Sequence, residues 1–511
     1  MRRPRPGAAA VRRPAGAGRG WSRRELLRLG CLAALAPASC AGPPRPEAEL
    51  VVNDVHSKLN RTRVGEIVRP GDVRTLREAV LRAAGDRRKL SVAGGRHAMG
   101  GQQFGAGTVH LDSRGLDRVL AFDRERGTVE VEAGIQWPAL VEALARTQAG
   151  AERAWAIVQK QTGADRMTLG GAVASNVHGR GLTLAPIVGE VESLTVVTPA
   201  GELVTCAEDR EPELFRLVVG GYGLFGVVYS VKLRLARRRK LERLVEVRSA
   251  EGLSDAFAAR IADGFLYGDF QFMTDATSDG FLDRGVFSCY RPVPDAAARP
   301  GRRRRLPRRV WERLIELAHR DKKEAFDLYS RYYLSTSGQL YWSDTHQMTS
   351  YLDDYHLALD RRSGASAPGS EMITELYVPR PDLASFLRRA GEVLRELEAD
   401  VIYGTVRLIE TDRVSFLRWA RRPWACVVLN LHVDHTADGL RRARDEFRAL
   451  IDLAVDHGGS FYLTYHRWAR RDQLEACYPQ MADFLAEKRR RDPHELLESE
   501  WYRHLRRLYS L

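Results

Sequence analysis

The spacing of apolar residues predicts an alternation of helices and strands from Val64 onward. Apolar positions recur at helical spacing over residues 75–84 and 137–147. Shorter apolar or alternating runs, bounded by glycine, proline and small polar residues, predict strands. These runs lie at 89–93, 109–111, 128–133, 191–198, 203–206 and 227–235. A Pro-Ala-Gly-Glu turn at 199–202 predicts that the two runs around it form a hairpin.

A second region of the chain shows the same two kinds of pattern. It predicts strands at 371–378, 403–409 and 426–433 and helices at 383–397 and 439–455. Residues 41–58 begin with prolines and small residues and predict a linker. Because 511 residues exceed what one hydrophobic core usually holds, the pattern indicates an α+β protein of several domains.

The net charge of +14 does not indicate a nucleic-acid partner, because the charge is unevenly placed. Residues 1–40 hold nine arginines and one acidic residue, which accounts for more than half of it. A further basic run at 302–309 has no aromatic residues between its arginines and predicts a solvated loop. Hydrophobic residues make up 44% of the chain, which favours a packed protein over a disordered one.

The N-terminal 40 residues have the features of an export signal. A twin-arginine pattern at Arg23 and Arg24 precedes an apolar segment over 29–37, far shorter than the about 20 residues that span a bilayer. The pattern predicts export by the twin-arginine machinery to the periplasm or cell envelope. A disordered basic tail is the alternative. Cleavage at Ala36-Pro37-Ala38 and acylation of Cys40, which would anchor the protein to a membrane, both remain open.

Cysteine spacing gives no indication of a metal site. No C-x-x-C pair occurs, so zinc-binding and thioredoxin-like interpretations are weak, and no metal is expected. The four cysteines beyond the leader either pair in an oxidising compartment or are buried thiols. These are Cys206, Cys289, Cys426 and Cys477.

Residues 221–226 have the spacing of a dinucleotide-binding motif, but the segment that follows them does not fit that motif. The sequence Gly-Tyr-Gly-Leu-Phe-Gly has the G-x-G-x-x-G spacing, but that motif requires a following helix whose N-terminus faces a pyrophosphate. Here β-branched residues and period-two alternation predict a strand at 227–235. The glycines indicate a tight turn or a close backbone approach instead.

Two other glycine-rich segments suit a large, flat, anionic cofactor. Residues 94–101 follow a predicted buried strand, and their glycines leave backbone N–H groups accessible to an anion beside Arg96. Residues 169–181 form a second predicted turn, rich in glycine and other small residues, that would let a flat ring lie against the main chain. Each segment alone is a weak signal.

Together, in this order, these segments resemble the vanillyl-alcohol oxidase and p-cresol methylhydroxylase class of FAD-linked oxidases, and the chain is most similar to alditol and aldonolactone oxidases within it. The resemblance implies FAD and an FAD-binding domain of two subdomains at 59–240. It further implies a separate α+β substrate (cap) domain at 241–455 and a C-terminal segment at 456–511 that returns to the FAD domain.

The resemblance also implies cofactor contacts, with His97 bonded covalently to the flavin 8α-carbon. A histidine that only hydrogen-bonds a non-covalent FAD is the alternative. No cysteine lies between Cys40 and Cys206, so no second flavin bond is expected. The implied cofactor-binding residues are Gly94, Gly95, Arg96, His97, Ala98, Met99, Thr162, Gly163, Gly170, Gly171, Ser175, Asn176, His178, Gly179 and Val227.

Members of this class oxidise a C–H next to oxygen, so a charged group near the flavin and a proton acceptor are expected. Arg407, among apolar neighbours on a predicted strand, is the candidate for charge, unless it pairs with Glu410 or Asp412. In the strand at 426–433, period-two alternation puts Asn430 and His432 on one face and Leu429 and Leu431 on the other, which indicates a cavity wall. His432 and His466 are the candidate bases. His466 lies in a stretch similar to the family's His-Trp-Gly/Ala-Lys, but with Arg467 inserted.

Further departures from the family leave the substrate open. Arg470 replaces the family's lysine, and Thr405 replaces the acid of alditol oxidases. The expected activity is oxidation of a CH–OH group of a sugar-, polyol- or lactone-like small molecule, with hydride transfer to flavin N5 and with oxygen or a carrier as electron acceptor. A flavin-loaded envelope protein without its own oxidase activity is the alternative.

Overall fold

The computed structural model describes residues 50–301, 304–349 and 355–511, so the predicted leader and the first half of the predicted linker lie outside the described residues. The strands are β1 (Val51–Val52), β2 (Thr62–Arg63), β3 (Glu66–Val68), β4 (Leu90–Ala93), β5 (Val109–Asp112), β6 (Val119–Asp123), β7 (Thr128–Glu132), β8 (Trp155–Ala156), β9 (Val191–Val197), β10 (Leu203–Cys206), β11 (Val227–Arg234), β12 (Ala236–Arg237), β13 (Lys240–Ser249), β14 (Tyr267–Phe272), β15 (Arg284–Pro292), β16 (Leu340–Trp342), β17 (Gly369–Pro379), β18 (Val401–Ile409), β19 (Trp424–Asp434) and β20 (Ser460–Phe461).

The helices alternate with these strands along most of the chain. They are α1 (Val73–Gly85), α2 (Trp137–Thr147), α3 (Leu169–Ala174), α4 (Pro212–Val218), α5 (Leu253–Ala262), α6 (Arg308–Arg320), α7 (Lys322–Leu334), α8 (Tyr355–Ser363), α9 (Leu383–Glu396), α10 (Ala437–Asp456), α11 (Arg471–Cys477), α12 (Met481–Arg491) and α13 (Glu500–Leu508). None of the helices within the described ranges is long and apolar enough to cross a membrane.

The N-terminal half contains two main sheets. Strands β3, β5 and β4 pair in parallel, with β5 in the middle. Strands β10, β9, β11, β7 and β6 form an antiparallel sheet in that order. The predicted hairpin of β9 and β10 is confirmed, with Leu203 opposite Val197. The strand predicted after the rejected dinucleotide motif is β11, so the predicted absence of a helix at that point is confirmed.

The C-terminal half is built around one eight-stranded antiparallel sheet. Its order is β16, β13, β15, β14, β18, β19, β17 and β20. Apolar residues on one face, such as Leu376 and Leu431, belong to the main hydrophobic core together with Phe447 of α10. The opposite face carries Glu375 and Asn430 and lies towards α6 and α7. The period-two alternation predicted for β19 is therefore confirmed.

The C-terminal segment contacts the first glycine-rich loop. The backbone N–H groups of Met99 and Gly100 both donate to the carbonyl of Thr464, at 3.0 Å each. Leu90 of β4 is bridged to Leu497. The mixed helix and strand architecture is confirmed, whereas the division into two FAD subdomains and a cap remains a prediction. Each of the four described cysteines is a buried thiol without a disulfide.

Candidate functional site

A small cavity of about 90 Å³ brings three separate glycine-rich segments together. They are the loop after β4, helix α3, and the turn before β11. Of the residues predicted to bind the cofactor, those that line this cavity are Gly94, Gly95, Arg96, His97, Ala98, Gly170, Gly171, Ser175 and Val227. Segments more than a hundred residues apart in sequence therefore form one wall.

Glycine is required where this wall packs most closely. A Cβ on Gly94 would lie 1.9 Å from Thr168 Oγ1, and one on Gly95 would lie 2.4 Å from the carbonyl oxygen of Arg166. A Cβ on Gly170 would lie 2.8 Å from that of Ala133. Larger residues would force these segments apart, so the glycines keep main chain at the cavity surface.

The prediction of a continuous turn over 169–181 is wrong in its first half, where helix α3 occupies residues 169–174. Thr168 caps this helix, since its Oγ1 accepts a hydrogen bond from the N–H of Gly171. The cap and the burial of Leu169, Ala172 and Val173 outweigh the weak helix propensity of the two glycines.

Arg96 supplies positive charge at this cavity. Its backbone has φ +61°, which is uncommon for a residue other than glycine. Its Nη2 lies 3.6 Å from Asp112 Oδ2, while its buried Nε has no hydrogen-bond partner among the described residues. The unpartnered donor suits an anionic group in the cavity.

His97 lies where the small cavity meets a much larger one, and it lines both. Its Nδ1 is 2.8 Å from Nε2 of His56, and its own Nε2 is buried without a hydrogen-bond partner among the described residues. Burial, with a smaller effect of His56, lowers the pKa of His97 to about 3. The ring is therefore neutral near pH 7, with a lone pair on one nitrogen.

The larger cavity has a volume of about 680 Å³ and lies between the polar face of the eight-stranded sheet and helices α6 and α7. Thr162 and Gly163, both predicted cofactor contacts, line it. Its wall is rich in phenol rings, which come from Tyr290, Tyr329, Tyr332, Tyr333, Tyr341, Tyr355, Tyr403, Tyr462 and Tyr465. Such a wall offers hydroxyl groups beside apolar ring faces.

Arg407 on β18 lines the large cavity and is 4% exposed. The predicted alternative, a salt bridge with Glu410 or Asp412, is wrong. Glu410 pairs with Arg380, and Asp412 bonds Asn176 and Ser415. Nε and Nη1 of Arg407 have no hydrogen-bond partner in the described part of the chain.

Glu375 on β17 is the carboxylate that faces the same cavity near Arg407. It accepts hydrogen bonds from Tyr377 at 3.0 Å and from Tyr465 at 3.1 Å, and His178 Nε2 lies 2.9 Å from its Oε2. Burial alone would raise its pKa, but His178 and the charge of Arg407 hold that pKa below the ordinary value. Glu375 is therefore ionised at neutral pH and can accept further hydrogen bonds.

Neither candidate base lines either cavity. His466 is buried, with its ring stacked on Phe461 and Trp468, and burial lowers its pKa to about 3. His432 lies beside Glu371 at the far end of β17. The structure thus places both histidines away from the groups that surround Arg407.

Four predicted cofactor contacts also lie behind the cavity walls. Met99 belongs to the main core, and Asn176 donates to Asp412. His178 Nε2 lies 2.9 Å from Glu375 Oε2, and a Cβ on Gly179 would lie 2.9 Å from the carbonyl oxygen of Lys160. Asn176, His178 and Gly179 thus hold the loop after α3 in place, and none of the four lines either cavity.

Three residues of the site were missed from the sequence: His56, Glu375 and Tyr465. The available signal for Glu375 was a charge beside apolar residues of β17, a strand that also carries Glu371, just as the charge on β18 was the signal for Arg407. No comparable signal marks His56, which lies in the predicted linker and meets His97 only in the folded chain.

The described residues fit a bound FAD. The small cavity is lined by glycines from three segments and by an arginine with an unpartnered nitrogen, a combination that suits a pyrophosphate. His97 has an unpartnered nitrogen at the entrance to the large cavity, and Arg407 has two more on the sheet.

Comparison with known proteins agrees with this fit. The family described as FAD binding domain matches residues 65–207. The L-galactono-1,4-lactone dehydrogenase 2, mitochondrial, of Oryza sativa subsp. japonica is 31% identical over 239 residues, covering 44% of this chain and 40% of that protein. The L-gulono-1,4-lactone dehydrogenase of Mycobacterium tuberculosis is 24% identical over 441 residues, covering 86% of this chain and 95% of that protein.

Another relative is named for a different substrate. Cytokinin dehydrogenase 6 of Oryza sativa subsp. japonica is 31% identical over 163 residues, or 30% of this chain and 29% of that protein. The chain matches between 20% and 40% of the length of the plant galactonolactone dehydrogenases. The chain therefore contains an FAD binding domain at residues 65–207, and its predicted resemblance to the vanillyl-alcohol oxidase and p-cresol methylhydroxylase class of FAD-linked oxidases is confirmed.

Proposed function

We propose that this protein is an FAD-dependent oxidoreductase that oxidises a CH–OH group of a sugar-, polyol- or lactone-like substrate. The observation that carries the proposal is the meeting, at His97, of a glycine-lined cavity with a larger polar cavity that contains Arg407 and Glu375. When bound, FAD supplies a hydride acceptor at N5.

We further propose that residues 59–240 and 456–511 hold the cofactor and that residues 241–455 bind the substrate. Most of the large cavity's wall comes from strands and helices of the second region. Several buried polar atoms in this wall have no hydrogen-bond partner among the described residues, namely Arg180 Nε, Asp269 Oδ1 and Asn430 Oδ1. A small molecule with several hydroxyl groups would supply such partners.

Arg407 and Glu375 are the residues that we assign to the chemistry. Arg407 carries a permanent charge and would stabilise negative charge that develops at the cofactor or substrate. Glu375 would accept the hydroxyl proton. The two other described carboxylates in the cavity wall pair with a lysine or an arginine, Asp165 with Lys160 at 2.6 Å and Asp269 with Arg180 at 3.3 Å. Glu375 pairs instead with the imidazole of His178 at 2.9 Å, which is charged only when it is protonated.

The test is bleaching of the flavin by substrate under anaerobic conditions. We expect at least one compound from a panel of aldono-1,4-lactones, alditols and aldoses to reduce the flavin without an external donor. Glu375→Gln is expected to slow this reduction by about a hundred- to ten-thousandfold while flavin stays bound, because a general base contributes that much. Admitting air then distinguishes oxygen from a separate carrier as electron acceptor.

Glu190→Gln is the matched control for Glu375→Gln. Burial raises the pKa of Glu190 to about 8, so this side chain is already neutral at pH 7 and lies outside the cavity wall. Its replacement should leave the bleaching rate within twofold of the wild-type rate. If no compound bleaches the flavin, the chain is instead a flavin-loaded protein without its own oxidase activity, and the proposal is wrong.

We also propose export through the twin-arginine machinery, on the strength of residues 1–40. Replacing Arg23 and Arg24 together by lysine is expected to move the protein from the periplasmic or envelope fraction to the cytoplasm. Replacing Arg12 and Arg13 by lysine, in the same basic leader, should leave its location unchanged. Immunoblots of cell fractions measure both, and an unchanged location of the first variant contradicts the proposal.

A further inference from the structure

Outside both cavities, three histidines surround one buried glutamate. Glu371 lies on β17, and its side chain is 3% exposed. Nε2 of His319, in the last turn of α6, is 2.8 Å from Glu371 Oε1, and Nδ1 of His356 on α8 is 3.0 Å from Oε2. Nδ1 of His432, opposite Glu371 in the strand register, is 3.5 Å from Oε1. None of the four lines either cavity.

The contacts of His319 leave this cluster in need of a positive charge. Its Nδ1 is 2.8 Å from the carbonyl oxygen of Ile315, which can only accept, so Nδ1 carries the proton. In a neutral ring, Nε2 then has a lone pair instead of a proton. This lone pair faces Glu371 Oε1, which is also a hydrogen-bond acceptor. Two acceptors at 2.8 Å require a further proton or a metal cation between or beside them.

His432 has the same excess of acceptors around it. Its Nδ1 faces Glu371, and its Nε2 lies 3.6 Å from Asp434 Oδ1, while a neutral imidazole carries a single N–H. The ring also lies directly against Gly369, where a Cβ would be 2.5 Å from Cε1. This close packing fixes the ring orientation with a nitrogen directed at the carboxylate.

We propose that His319, Glu371 and His432 bind a divalent transition-metal ion, with zinc the best match, and that His356 closes the coordination. The donor atoms of the first three lie within 4.8 Å of one another. Zinc bonds of about 2.0–2.2 Å place tetrahedral ligand atoms roughly 3.4 Å apart, between the 2.8 and 3.5 Å measured here. The hydrogen bond from His319 to a carbonyl is the typical outer support of a metal-bound imidazole.

The metal ion would link helices α6 and α8 to the eight-stranded sheet. His319 and His356 belong to α6 and α8, whereas Glu371 and His432 belong to adjacent strands of the eight-stranded sheet. The same helices line the large cavity through Ile315, Ala318 and Tyr355. The ion therefore has a structural role, because it holds one wall of that cavity against the strands. The site is distinct from the proposed flavin site and does not depend on the proposed function.

The test measures zinc on the full-length, tag-free, flavin-loaded protein after dialysis against a chelator. Calorimetric titration with ZnCl₂ is expected to show one tight site per chain. The double variant His319→Gln/His432→Gln should lose about a hundredfold or more in affinity. His457→Gln is the matched control, since His457 Nδ1 also bonds the carbonyl four residues back, at 2.9 Å, but its ring packs on Phe386. Its zinc affinity should be unchanged.

If the double variant does not fold, the visible absorption spectrum of the wild-type protein loaded with Co²⁺ still tests the proposal. Co²⁺ held by imidazole and carboxylate gives visible ligand-field bands without a thiolate charge-transfer band. A thiolate band would place the ion instead at Cys426, which lies 3.9 Å from both His178 Nε2 and Glu375 Oε2, and would overturn the proposal. Wild-type protein that binds neither metal, or a folded double variant that binds zinc as tightly as wild type, also overturns it.

Discussion

His97→Ala is expected to yield a protein without covalently attached flavin. The neutral imidazole has an unpartnered Nε2, with Nδ1 held by His56, where the two cavities meet. No other histidine and no cysteine among the described residues lines the small cavity. Denaturation in acid, followed by a measurement of flavin absorbance and fluorescence in the precipitate, distinguishes attached from released flavin. Wild-type protein should retain the colour, and the variant should release it or lack it.

His110→Ala is the matched control for that variant. His110 is also buried, burial lowers its pKa to about 3 as well, and its Nδ1 bonds Ser91 Oγ at 3.0 Å, but it lines neither cavity. Its replacement should leave the covalent flavin in place. Covalent flavin that persists in His97→Ala contradicts the assignment. If flavin washes free of the wild-type protein, the proposed covalent bond is wrong, but the proposed FAD site is not contradicted.

Local patterns along the chain were enough to predict many individual elements. Helix α2 and strand β10 have the predicted bounds, because an amphipathic period and a short turn each depend on neighbouring residues only. Helix α3 was missed, since two adjacent glycines argue against a helix locally. Its cap at Thr168 and its buried face become decisive only when the tertiary structure surrounds it.

Residues of the candidate site could be predicted from the sequence where a charged or polar side chain stands among apolar neighbours. Arg407 stands out as a charge on an apolar strand, and the structure places it in the cavity wall. The same reasoning selected His432, because Asn430 and His432 share a face of β19. Periodicity identifies that face but not how far the cavity extends along it, and the cavity includes Asn430 but not His432. The pairing of His56 with His97 depends on long-range packing that no local pattern contains.

Arg407→Gln is expected to slow reduction of the flavin by substrate by about a hundred- to a thousandfold, the usual effect of removing one group that stabilises developing charge. The guanidinium is almost fully buried, with two nitrogens unpartnered among the described residues, so its charge is little screened by water. Its loss should also lower the flavin reduction potential, because a nearby positive charge favours the reduced, more negative cofactor. Anaerobic stopped-flow absorbance and a redox titration measure the two effects.

Arg380→Gln separates this effect from a general loss of charge on the same sheet. Arg380 follows β17 and forms a partly exposed ion pair with Glu410 at 2.7 Å, outside the cavity wall. Water and salt screen such a pair, so its removal should change neither the rate nor the potential appreciably. A potential that falls in Arg407→Gln alone ties the buried charge to the flavin, since a purely structural arginine would not alter it. An unchanged rate and potential in Arg407→Gln would instead assign Arg407 to packing.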